Sequence, residues 1–137
     1  MDFLKLHWEE LTFKFAPIQY KKRSLLRFEG AYWNDVPLTQ NPQDVYLFET
    51  FLSSFLAHRL KVGERYDLFG GVKGKIQTEK DNQSYLILRL GEKNMAVDKW
   101  RALYMTRLLN RALSLMDGED FLEIESAKDE ETPSDDV

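Results

Sequence analysis

Twice along this chain the spacing of apolar residues switches from every second position to the three-and-four spacing of a helix, and each switch falls on an Asn or Asp. That order, strands and then a capped helix given two times, limits the fold more than any other feature. In the first half Leu11, Phe13 and Phe15 alternate with Thr12, Lys14 and Ala16, the pattern of a half-buried strand. A polar turn at residues 21–24 leads into a second strand from about Leu25 to Ala31. Trp33-Asn34-Asp35 carries a turn signal. Val36-Pro37-Leu38-Thr39 reads as a short extended piece at a sheet edge, because Pro37 has no N–H to give a ladder. Asn41 then caps a helix, with Pro42 in the first position and Asp44 in the first turn. Val45, Phe48, Leu52, Phe55, Leu56 and Leu60 follow at helical spacing, and Gly63 supplies the stop. Tyr46, Leu47 and Phe51 widen the stripe, which predicts a helix covered on more than one side.

The second half runs in the same order. Val72, Gly74, Ile76 and Thr78 alternate with Lys73, Lys75, Gln77 and Glu79; Tyr85 to Leu90 forms the next strand, and residues 94–97 a short one. Asp98 caps a helix whose apolar face is read as Met105, Leu108, Leu109, Ala112, Leu115 and Met116, with Lys99, Thr106, Arg107, Asn110, Arg111 and Ser114 on the wet side and Gly118 at the end. The expected fold class is α+β: an antiparallel sheet with two long helices packed on one face, built from two ββα-like halves. Residues 1–118 form one α+β domain in this reading, and residues 119–137 a disordered acidic tail too poor in aromatics to pack.

Composition removes whole classes of function. The chain has no cysteine, so disulfides, thiolate nucleophiles and cysteine-based zinc sites are excluded. No run of about 18 apolar residues exists to make a membrane helix. The first eight residues lack a basic n-region and an apolar h-region, so the expectation is a cytoplasmic protein without a membrane partner. The net charge of −4 conceals a division: from Asp117 onward there are ten acids and one base, leaving 18 bases and 13 acids before it. A body of about +5 joined to a tail of about −9 suits either a polyanion site with an interaction tail or simple solubilisation.

The stretch from Lys73 to Leu109 has a basic strand (Lys73, Lys75), a hairpin, Arg89, and a cap followed by Trp100. This order of strands, a short last strand and a capped helix, given twice, resembles the fold shared by PUR-repeat, Whirly and PC4-type single-stranded nucleic-acid-binding proteins. The resemblance implies sequence-tolerant binding of single strands, either DNA or RNA, on a basic sheet face. Such binding needs cations along the phosphates and flat side chains against the bases. The residues of those types are Lys21, Lys22, Arg23 and Arg27 near the first hairpin and Lys73, Lys75 and Arg89 in the second half, with Trp33 and Tyr85 for stacking; Lys14, Tyr20 and Tyr32 lie among them. Solvated surface charge and core aromatics are the plainer account of the same residues.

Catalysis finds no foothold. Phe69-Gly70-Gly71-Val72-Lys73-Gly74-Lys75 lacks the Walker spacing and a following helix, so its glycines are read as a bulge or turn. His7 and His58 stand apart, without acids at ligand spacing. The expectation is a non-enzymatic binding protein with neither cofactor nor metal. The alternative is a protein–protein interaction module, an adaptor, chaperone or inhibitor-type partner and possible homodimer, that uses the broad stripe of the first helix and the acidic tail.

Overall fold

Both halves of the chain are four-stranded antiparallel meanders, each closed by a helix. The computed structural model describes residues 4–20, 22–78 and 83–116; within these, the side chains of Leu4, Trp8, Tyr20 and Arg23 are outside the description. β1 (Leu4–Trp8), β2 (Leu11–Tyr20), β3 (Arg23–Trp33) and β4 (Val36–Thr39) lead to α1 (Gln43–Leu56). β5 (Arg65–Asp67), β6 (Lys73–Thr78), β7 (Ser84–Leu90) and β8 (Lys93–Val97) lead to α2 (Lys99–Met116). Strand order follows chain order in both sheets. The α+β class and the two-part repeat stand, with β1 and β5 as additional strands and two sheets in place of one. The tail expected over 119–137, with its disorder, lies outside the described residues.

Turn chemistry explains the tight connections. Trp33 pairs with Val36, so Asn34 and Asp35 form a two-residue loop, and both have positive φ, 50° and 69°. That is the type I′ geometry whose twist matches a hairpin, reached here without glycine. Pro37 lies on β4, the edge strand of the first sheet among the described residues, where a missing N–H is tolerated. Pro17 is inside β2, beyond Phe15, the last of its described pairs with β1.

Asp98 caps α2 as expected, whereas α1 has Pro42 as its N-cap with Asn41 just before it, and the Gly118 stop expected for α2 lies outside the described residues. Asn41 Oδ1 accepts from the Gln43 N–H at 3.0 Å, and Asp44 accepts from the Thr39 hydroxyl at 2.5 Å. Asp98 Oδ1 accepts from the Arg101 N–H at 2.8 Å. α1 does not run on to Gly63. It stops at Leu56, where His58 takes φ +58°, the Arg59 N–H reaches Ser54 O at 2.9 Å and the His58 N–H reaches Phe55 O at 3.1 Å. This is a Schellman ending with histidine in the place usually held by glycine. Gly63 instead gives its N–H to Ile76 O at 2.8 Å, beside a parallel bridge from Val62.

One apolar cluster takes residues from both sheets and both helices. Phe48 of α1 stacks on Phe13 of β2 at 5.4 Å and meets Phe69 edge-on at 5.7 Å. Phe51, one turn on, meets Tyr66 of β5 at 5.7 Å. The helices pack on each other, and α2 also lies against β3 of the first sheet. Each helix therefore touches the sheet of the other half. The buried stripe of α2 is Ala102, Met105, Thr106, Leu109, Ala112, Leu113 and Met116. Thr106, assigned to the wet side by sequence, is inside, with its hydroxyl donating to Ala102 O at 2.7 Å. Leu115, assigned to the apolar face, is exposed. Tyr46 and Phe51 pack into the cluster, so the width of the α1 stripe is taken up internally; of the three widening residues only Leu47 is exposed.

Candidate nucleic-acid interface

Alternation along the second sheet decides which side chains meet solvent. On β6, Gly74 and Ile76 face inward while Lys73, Lys75 and Gln77 face out. On β7, Leu86 and Leu88 face inward while Tyr85, Ile87 and Arg89 face out. Register then assembles rows across the outer face. Arg65, Lys75, Ile87 and Ala96 make one row; Asp67, Lys73, Arg89 and Asn94 make the next; Gln77 and Tyr85 open a third.

Two like-charged pairs are thus directly opposed, Arg65 with Lys75 and Lys73 with Arg89. Such pairs destabilise a sheet. Among the described residues Arg65, Lys73 and Lys75 have no ion pair to offset this, and the one acid in the rows is Asp67. The Arg89 Nε–H donates to Gly91 O at 2.6 Å, which fixes the guanidinium and leaves its terminal nitrogens for a ligand. These side chains border an open hollow of about 590 Å³ floored by Gly74 and Ile87. A second hollow of about 290 Å³ is lined by Ser84, Tyr85, Asp98, Lys99 and Trp100.

Of the residues singled out from sequence, Lys73, Lys75 and Arg89 come together on this face. Tyr85 is beside them, half-buried, its hydroxyl donating to Gln77 Oε1 at 2.9 Å. Arg27 belongs to the first sheet, opposite Ala16, with its Nε 3.9 Å from Glu29. Lys22 sits in the β2–β3 turn with φ +67°. Lys21 and the side chain of Arg23 lie outside the described residues. Trp33 is a correction: it is 1% exposed in the core, its indole N–H donates to Glu10 Oε2 at 3.0 Å, and it has no ring face to offer a base. Tyr32 is also engaged, with the Lys14 ammonium 4.5 Å from its ring centre.

Sequence reasoning missed Arg65, because a three-residue strand is too short to declare its alternation. The glycines of the phosphate-loop candidate have packing roles. Gly70 and Gly71 form the positive-φ turn closed by the Val72 N–H on Phe69 O at 2.8 Å. A Cβ on Gly70 would lie 2.6 Å from Leu38 O. Neither histidine joins an acid: His7 Nδ1 pairs with the Thr12 hydroxyl at 2.9 Å, and His58 Nε2 is 3.3 Å from Lys99 Nζ. Among the described residues no three His, Asp or Glu side chains gather as a metal-ligand set, and no helix is long and apolar enough to cross a membrane. The chain matches no protein-family model, and no characterised protein sequence matches it.

Proposed function

We propose that this chain is a non-enzymatic binding protein that holds single-stranded nucleic acid, with little sequence preference, across the outer face of its second sheet. The observation that carries this reading is the two opposed like-charged pairs, Arg65–Lys75 and Lys73–Arg89, four cations against the single acid Asp67 and none of Arg65, Lys73 and Lys75 in an ion pair among the described residues. A ligand with regularly spaced negative charge removes the repulsion they suffer when empty. The face is a shallow hollow, which suits a flexible strand; reading a duplex major groove requires a protruding helix or ribbon. Ile87 beside the cations and Tyr85 in the row after them give the bases apolar surface. The acidic segment from Asp117 onward competes for the same face or recruits basic partners, an electrostatic effect that fades with salt.

A second reading, a protein-interaction module, draws on α2, where Trp100 and Tyr104 project one turn apart at 79% and 63% exposure. It predicts partner capture or self-association insensitive to Lys73 and Lys75.

Fluorescence anisotropy with labelled single-stranded DNA and RNA at two salt concentrations separates the two. Four phosphate contacts give a log–log salt slope of about −2.8, and Lys73→Ala with Lys75→Ala reduces it by about 1.4. Deleting the residues after Gly118 raises affinity at low salt. If neither the full chain nor the shortened one binds at low salt, the nucleic-acid reading fails.

A further inference from the structure

Trp100 has no structural reason to be where it is. At 79% exposure it is the most exposed large apolar side chain among the described residues. It sits on the first turn of α2, outside the buried stripe that begins at Ala102. An indole left in water this way costs solvation free energy and contributes nothing to the core.

Its surroundings supply a use. Trp100 borders the smaller hollow with Ser84, Tyr85, Asp98 and Lys99. Tyr85 is hydrogen-bonded to Gln77, and Gln77 borders the basic hollow. The two depressions are linked by the Tyr85–Gln77 pair: the outer rows run Lys73 and Arg89, then Lys75 and Arg65, then Gln77 and Tyr85, and Trp100 of α2 borders the hollow that Tyr85 lines. Successive outward rows on a strand are about 7 Å apart, close to the phosphate spacing of an extended strand. The cations lie along the first two rows, whereas the smaller hollow, at the far end, has one base, Lys99, and one acid, Asp98, already engaged as the cap of α2. With its two charges balanced, that end offers the flat side chains of Tyr85 and Trp100 in place of a row of cations.

We infer that Trp100 is a stacking platform for a nucleobase, receiving a base of a strand whose phosphates run over Lys73, Arg89, Lys75 and Arg65. The inference rests on the reading of the basic face as the nucleic-acid site. Tyr104, one turn further along α2, does not border either hollow.

The full chain is titrated with oligothymidylate and with an abasic phosphodiester strand of equal length, with anisotropy and tryptophan emission recorded together. Wild-type emission is quenched by oligothymidylate and not by the abasic strand. Trp100→Ala weakens oligothymidylate binding about five- to a hundredfold, removes the quench, and leaves the salt slope and the abasic affinity unchanged; Trp100→Phe retains most of the affinity. Tyr104→Ala matches wild type. If Trp100→Ala binds oligothymidylate as tightly as wild type, the platform is overturned while the basic face stands. If wild type binds neither strand, both readings fall together. Trp100 is outside the core, so its variants fold and each result can be read.

Discussion

A Cβ added to Gly74 would lie 2.6 Å from the tip of the Phe51 ring, so the inward face of β6 is cut away at the one point where α1 presses its aromatic side chain into the second sheet. Glycine is required there by contact, since Gly74 is not at positive φ. It also stands between Lys73 and Lys75, and the ring behind it fixes the strand that carries both cations.

Gly74→Ala should therefore destabilise the protein by about 1–3 kcal/mol through overpacking. Phe51→Leu makes room for the methyl group. The double variant should be less destabilised than the two single losses added together. Urea unfolding of the four proteins measures this, and strict additivity would disprove the contact.

Asp35 and His58 hold left-handed backbone at positions where glycine is the usual residue. Asp35→Gly creates the favoured Asn-Gly type I′ turn, and His58→Gly relieves the Schellman ending. Each should stabilise by about 0.5–1 kcal/mol, the left-handed strain outweighing the added freedom of the unfolded chain. A rise in the urea midpoint at constant slope is the expected result.

Trp33 and Trp100 should separate cleanly in their effects. Trp33→Phe loses the indole hydrogen bond to Glu10, whose exposed carboxylate turns to water, and leaves a smaller ring in a buried site, costing about 1–2 kcal/mol of stability, with nucleic-acid affinity unchanged under folding conditions. Unfolding and anisotropy on the same preparation check both halves of this statement.

Arg65→Ala should weaken strand binding and shift the salt slope by about 0.7. The same change removes the repulsion against Lys75 and should raise stability by a few tenths of a kcal/mol at low salt, a gain that disappears as salt screens the pair. A residue whose loss stabilises the fold while weakening the ligand is one retained for the ligand. Weaker binding accompanied by lower stability would contradict this account of Arg65.

What could be read from sequence was what depends on neighbours in the chain. The start signals at Asn41 and Asp98 act over two or three residues, and the alternation of β6 and β7 is unbroken, so the helix starts to within a residue and the outward Lys73, Lys75, Tyr85 and Arg89 were legible. Trp33 was not, because of a bulge. Phe15 pairs with Phe28 but Lys14 pairs with Gly30, leaving Glu29 unpaired. Counting alternately from the inward Phe28 puts Trp33 outside; the extra residue inverts the phase and sends it into the core. The phase of α2 was blurred by leucines on both flanks, and only the packing distinguishes Leu113 from Leu115. The end of α1 was misplaced because His58, rather than the nearby glycine, takes the left-handed conformation.

The crossing of the helices has a consequence during synthesis. α2 covers part of β3, yet 65 residues separate Trp33 from Lys99. At 5–20 residues per second, roughly 3–13 s pass between completion of one and the start of the other. For that interval the nascent chain carries an uncapped aromatic strand, and its exposure to chaperones or to neighbouring nascent chains is set by translation speed through the second sheet rather than by the stability of the finished fold.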